Sequence, residues 1–131
     1  MYLLDTDIII YALKGHQQVV ERLRFHADAP KAISVITYGE LIYGAEKSQQ
    51  VDANRAKVLR LREIFPVIEL SCAIMDTFGR LKANVSRKGQ TVSDFDLLIG
   101  ATAMSMGYCV VSNNEKHFQK IPDLRCENWA A

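Results

Sequence analysis

The sequence predicts an α/β domain built on a short, mainly parallel sheet. Two observations carry that expectation. Apolar runs of three to five residues recur at Tyr2–Leu4, Ala32–Ile36, Val67–Leu70 and Tyr108–Val111, and stretches with helical spacing fill the intervals between them. Strands that alternate with helices are joined by crossovers, and crossovers make neighbouring strands parallel. The chain has 131 residues with no linker, repeat or low-complexity tract, so it reads as one domain, 1–131.

Each element has a local reason. Tyr2–Leu4 breaks at Asp5, as a buried strand does where it leaves a sheet. Asp5-Thr6-Asp7 offers capping side chains to a helix over Ile8–Leu13, with Gly15 as its stop. Val19, Val20 and Leu23 fall at helical spacing between Gln17 and His26. Ala32–Ile36 is a second strand, after which Thr37 opens a helix carrying Leu41, Ile42 and Ala45. A longer helix spans Val51–Ile64 ahead of Pro66, and Val67–Leu70 follows as the third strand. Ser71 caps a helix that reaches Arg87 and ends at Gly89. Ser93 or Asp94 caps the next, Phe95–Met106, which Gly107 ends, and Tyr108–Val111 is the fourth strand.

Composition narrows the function classes. At 49% hydrophobic and 24% charged the chain can bury a core without disulfides or structural zinc. Cys72, Cys109 and Cys126 show no CxxC or CxxH spacing and cannot all pair, so they are expected to be reduced small hydrophobes in a cytoplasmic protein. No apolar run is long enough to span a bilayer, and the N-terminal stretch, interrupted by Asp5 and Asp7, is not a signal peptide. Net charge is +1, yet two segments are basic without any acid: Arg55, Lys57, Arg60 and Arg62, then Arg80, Lys82, Arg87 and Lys88. Such runs are either solvated helix faces or a local surface for an anion.

Ligands of open α/β sheets bind beyond the carboxyl ends of the strands, and the acids collect there. Asp5 and Asp7 follow the first strand, Glu40 lies four residues past Ile36, and Asn113 and Asn114 follow the fourth strand. Asp94 and Asp96 open a helix that can face the same edge. Helix capping is the competing account for each: Asp5 as an N-cap, Asp7 as a first-turn acid, Glu40 as the capping-box partner of Thr37. Asp94 and Asp96 cannot both be the N-cap. Carboxylates focused on one edge repel by up to about 4 kcal/mol per close pair at an effective dielectric near 20. A divalent cation relieves that repulsion, and an all-oxygen set without Cys or His at ligand spacing suits Mg²⁺ or Mn²⁺. Asp5, Glu40 and Asp96 are expected to meet around such an ion. His16, His26 and His117 read as surface or capping residues, and no Ser-His-Asp arrangement, G-x-S-x-G motif or glycine-rich phosphate loop is present.

Four blocks resemble, in order and spacing, those of PIN-domain ribonucleases, in particular the VapC-type toxins of bacterial toxin–antitoxin operons. They are Leu3–Asp7, Ile33–Gly44, Asp96–Ala101 and Val110–Asn114, and the likeness extends to Asn128-Trp129. The resemblance implies a three-layer α/β/α sandwich and an acidic site for Mg²⁺ or Mn²⁺. It implies Asp5 and Asp96 as metal ligands and Glu40 as the acid that supports the metal or its water. The family's fourth acidic position is Asn114 here, which weakens any case for a second tightly held metal. Asp7 stands where the family has Asn or Ser, and Asp94 is an extra acid; both either reinforce the cluster or cap helices. Thr37 and Ser112 match the hydroxyl residues that orient the carboxylates.

The implied activity is endoribonuclease cleavage of structured RNA, with the tRNA anticodon loop as the expected target, translation as the process inhibited, and 5′-phosphate and 3′-hydroxyl ends as products of a metal-activated water. Arg87, Lys88, Arg55 and Arg62 are candidates for the RNA backbone. The implied partners are a second copy of the chain, a VapB-type antitoxin, and operator DNA reached only through the antitoxin complex, with no membrane involved. Helices 37–45 and 51–64 carry more apolar residues than one small core needs and are the candidate docking faces. Two alternatives stand beside this reading. Asp5-Thr6-Asp7 after a first strand also suits a HAD-type aspartyl-phosphate phosphatase, and Asn114 also suits a PIN-like binding module whose catalytic site has decayed.

Overall fold

The computed structural model describes all 131 residues. Five parallel strands lie in the order β3-β2-β1-β4-β5: β1 (Tyr2–Leu4), β2 (Lys31–Ser34), β3 (Val67–Ile68), β4 (Cys109–Val111) and β5 (Cys126–Glu127). The helices are α1 (Thr6–Leu13), α2 (Gln17–Phe25), α3 (Val35–Glu46), α4 (Val51–Ile64), α5 (Cys72–Arg87), α6 (Asp94–Met106) and α7 (Glu115–Phe118).

Successive strand residues point to opposite faces, and both faces are covered. Leu3, Ala32 and Val110 pack with Ile74, Leu81, Val85, Leu97, Ile99 and Phe118, from α5, α6 and α7. Leu4, Ile33 and Val111 pack with Ile8, Ile9, Val19, Leu41, Val58 and Leu61, from α1 to α4. The result is the expected three-layer sandwich. Two contacts run α5 antiparallel to α6: the Ser105 and Thr77 hydroxyls at 3.2 Å, and Lys82 Nζ to Asp94 Oδ1 at 2.9 Å. The end of α5, with Arg87 and Lys88, therefore emerges beside the start of α6.

Most boundaries follow their local signals. Asp5 is the N-cap of α1, Ser71 of α5 and Ser93 of α6. Gly15, Gly89 and Gly107 turn the chain at positive φ, where a Cβ would be strained. One boundary differs with consequences. Val35 and Ile36 belong to α3 rather than to the second strand, because the buried Ser34 caps that helix, its Oγ accepting from Ile36 N at 3.0 Å. Ser34→Ala removes that cap and is expected to lower unfolding free energy by about 1–2 kcal/mol in urea titrations.

The segment around Trp129 packs into the fold. The pair β4–β5 closes one sheet edge, and fully buried Trp129 stacks on His26, with ring centroids 4.7 Å apart and planes 4° from parallel. His26, half-buried, is thus both the C-cap of α2 and a packing partner of Trp129. His16 is the N-cap of α2, its Nδ1 accepting from Val19 N at 3.4 Å. All three cysteines are free, and no helix is long and apolar enough to cross a membrane.

Candidate active site

The strand order reverses direction between β1 and β4, and the crevice at such a switch point is where ligands of open α/β sheets bind. Asp5 sits on it. Its backbone N donates to Val111 O at 2.9 Å, and its carboxylate accepts from Thr6 N at 2.8 Å and from the Ser112 hydroxyl at 2.7 Å. Ser112 is itself fully buried and receives Asn114 N at 2.9 Å. Asp5 is only 4% exposed. Burial, and then the neighbouring Asp7 charge, push its carboxyl up to about 7, with Asp96 adding to the repulsion.

Asp7 turns inward from the first turn of α1. Its Oδ2 accepts from Asn113 N at 3.1 Å, while Oδ1 is buried with no hydrogen-bond partner. Burial raises its carboxyl too, and Asp96 pushes the same way. A buried carboxylate oxygen without a donor is costly unless something absent from the chain satisfies it. Asp7 therefore does more than complement a helix dipole. Asn113 is held in turn, its Nδ2 donating to the Tyr11 hydroxyl at 3.3 Å and its Oδ1 accepting from Asn128 Nδ2 at 3.0 Å.

Glu40 enters from the second turn of α3, a consequence of the helix starting at Val35, so it is not a capping-box partner of Thr37. Its Oε1 accepts from the Thr6 hydroxyl at 2.6 Å. Thr6 and Thr37 hydroxyls lie 3.2 Å apart. Thr6 has one proton to give and directs it to Glu40, which leaves buried Thr37 as the donor of that second pair. Thr6 thereby ties Asp5, through its amide, to Glu40, through its hydroxyl.

Asp96, in the first turn of α6, is 18% exposed, and its Oδ2 lies 2.9 Å from His117 Nδ1 on α7. His117 is thus a neighbour of the acidic site rather than a plain surface residue. Asp94 points outward to Lys82. Asn114 is exposed at the start of α7 and makes no capping bond with its side chain. Thr6 and His117 are the two site residues that sequence reasoning missed. Thr6 stood among the capping candidates, but its link to Glu40 and the pairing of His117 with Asp96 both arise only on folding.

The basic candidates divide. Arg87 and Lys88 are exposed at the α5 end, more than a turn beyond the Lys82 that pairs with Asp94. Arg55 is paired with Glu46 at 2.6 Å, and Arg62 lies over the Tyr38 ring at 5.5 Å, both on the α3–α4 side. That side also exposes Tyr43, Leu59 and Ile64, and a groove of about 300 Å³ between α1, α3 and α4 is lined by Ile10, Leu13, Leu41 and Val58 and reaches Glu40.

No three Asp, Glu, His or Cys side chains are arranged to enclose a metal ion by themselves. The donor chemistry still fits Mg²⁺ or Mn²⁺. The repelling pair Asp5 and Asp7, Asp96 within electrostatic reach and the bare Asp7 oxygen are all hard ligands. Mg²⁺ needs only one or two carboxylates when water and phosphate complete its shell.

Comparison with known proteins gives the family. The PIN domain model matches residues 2–124. The chain is 36% identical to the tRNA(fMet)-specific endonuclease VapC of Shigella flexneri over 98% of both chains. It is 38% identical to Ribonuclease VapC2 of Haemophilus influenzae, over 98% of this chain and 97% of that one. Among solved structures it aligns with TM-score 0.90 and 35% identity to a chain of DNA-bound VapBC from Salmonella typhimurium, covering 98% of this chain and 97% of that one. The same score, at 33% identity and 98% coverage of both chains, relates it to VapBC2 of Rickettsia felis bound to a promoter DNA fragment.

Proposed function

The chain belongs to the PIN domain family, within its VapC group, and from that premise we propose that it is the toxin of a toxin–antitoxin pair, a metal-dependent endoribonuclease that cuts structured RNA and inhibits translation. Family membership displaces the phosphatase alternative. The observation that carries the nuclease reading is the buried Asp5 beside Asp7 at the sheet switch point, both carboxyls raised, with Asp96 near enough to add to the repulsion and one buried Asp7 oxygen left bare.

Asp5 and Asp96 would hold Mg²⁺ or Mn²⁺, with Asp7 reinforcing the charge. When bound, the ion neutralises the phosphodiester and makes water a better nucleophile near neutral pH. Thr6 holds Glu40 Oε1 and leaves Oε2 to take the proton of the attacking water. Ser112 and the Thr6 amide fix Asp5 against rotation. Exposed Arg87 and Lys88 at the end of α5 are our candidates for the RNA backbone, with Arg55 and Arg62 serving only an RNA that also crosses α4.

We take the anticodon loop of a tRNA as the target, an assignment supported by the relative named for tRNA(fMet). A VapB-type antitoxin is supported by the VapBC structures, both of them bound to DNA; a homodimer, and operator DNA reached only through the antitoxin complex, are part of the same proposal. A cytoplasmic site of action agrees with three free cysteines. The test is cleavage of total tRNA by the purified chain with Mn²⁺, followed by end mapping. Cuts in one loop with 5′-phosphate ends, suppressed by EDTA, are expected. No cleavage of any RNA, with the ion bound, would instead favour the decayed binding module.

A further inference from the structure

Apart from Asp96, the acids at the crevice are held by neighbouring donors. Asp5 is held by Ser112 and the Thr6 amide, Asp7 by Asn113 N and Glu40 by Thr6. Asp96 differs. In the helix-capping bond at the start of α6 the Asp96 amide donates to Ser93 Oγ, which restrains the backbone and leaves the carboxylate free to rotate. The contact that restrains the carboxylate comes from another element, His117 on α7.

We propose that His117 is a positioning residue: by donating from Nδ1 to Asp96 Oδ2 at 2.9 Å, it turns Asp96 Oδ1 toward the crevice and prepares that oxygen for the metal. A carboxylate oxygen only accepts, so Nδ1 carries the proton and Nε2 takes no part in the bond. The fold is built to hold His117 there. The next residue, Phe118, is fully buried in the core formed with α5 and α6, and Ile121 beyond it is 2% exposed, so α7 is pinned immediately behind the histidine. Lys120 Nζ adds a bond to Thr91 O at 3.2 Å, tying α7 to the segment that leads into α6. His117 itself is exposed and contributes little to the core, so its placement is not a packing requirement.

This inference rests on the metal-dependent nuclease reading, and binding of Mn²⁺ to the metal-free chain, followed by the EPR signal of the free ion, separates the two. His117→Ala should weaken Mn²⁺ binding by about tenfold or more. His117→Asn, whose Nδ2 stands near the position of Nδ1, should restore most of it, and His117→Gln, whose nitrogen sits farther out, should not. Melting temperatures of the metal-free variants should match the parent. Wild-type binding left unchanged by His117→Ala, or an Asn variant as weak as the Ala one, overturns the positioning role alone. A wild-type chain that binds no Mn²⁺ overturns the metal reading and this role with it.

Discussion

Replacing Asp5 by asparagine is expected to lower RNA cleavage by about a thousandfold while leaving the metal-free fold as stable as before, or more so, at pH 8. The activity loss follows from charge. The amide keeps the shape of the carboxylate and can still accept from Thr6 N, but it removes the central negative charge from the group proposed to hold the ion. Several kcal/mol of transition-state stabilisation by a bound cation correspond to about three decades in rate. The stability outcome runs the other way. Asp5 is buried and repelled by Asp7, so its ionised form weakens the empty fold, and the neutral amide relieves both costs. Ser112 must then rotate its hydroxyl, since it can no longer donate to a carboxylate oxygen. Cleavage assays paired with urea unfolding of the same preparation measure both effects. A variant that is inactive because it is unfolded, or one that retains cleavage, contradicts the role assigned to Asp5.

The parts of this fold that were legible in the sequence are those with a local cause. The 51–64 helix, the Ser71 cap and the Gly107 stop needed only neighbouring residues to be read. Asp5 was legible twice over, as the cap of α1 and as the acid at a strand exit. The misplacement of Val35 and Ile36 has a physical reason: β-branched residues after a strand continue its apolar run, and only the fully buried Ser34 shows that the chain has already turned into a helix. Those two residues carry Glu40 from the first turn into the second, away from the Thr37 amide and toward Thr6. The strand β5 is two residues long and exists because it pairs with β4, and α7 is a single turn pinned by Phe118, so neither has a periodicity to detect. His117 could not be found from spacing at all, because Asp96 lies 21 residues away and the two meet only after α6, β4 and α7 have packed.

Affinity for Mn²⁺ is expected to climb about tenfold per pH unit from pH 5 to about 7 and then level off. The ion needs ionised carboxylates, and Asp5, whose carboxyl is raised to about 7, must release a proton before it can serve as a ligand. Asp7 is raised in the same direction, so the slope below pH 7 is at least that of one proton. Stability of the metal-free chain moves oppositely. The folded state holds the Asp5 proton more tightly than the unfolded chain, whose value is 3.8, so the group's stabilising contribution is complete below that value and is lost as pH rises through about 7. A shift of this size corresponds to about 4 kcal/mol across the window. Added Mn²⁺ should therefore raise the melting temperature most above pH 7, where the empty site is least stable and the ligand is already ionised. Calorimetry in two buffers of different ionisation enthalpy counts the protons directly: about one released per ion at pH 6 and close to none at pH 8.5. In Asp5→Asn the stability inflection near pH 7 should disappear, whereas affinity that is flat from pH 5.5 to 7 in the parent chain would show that Asp5 does not lie on the ion.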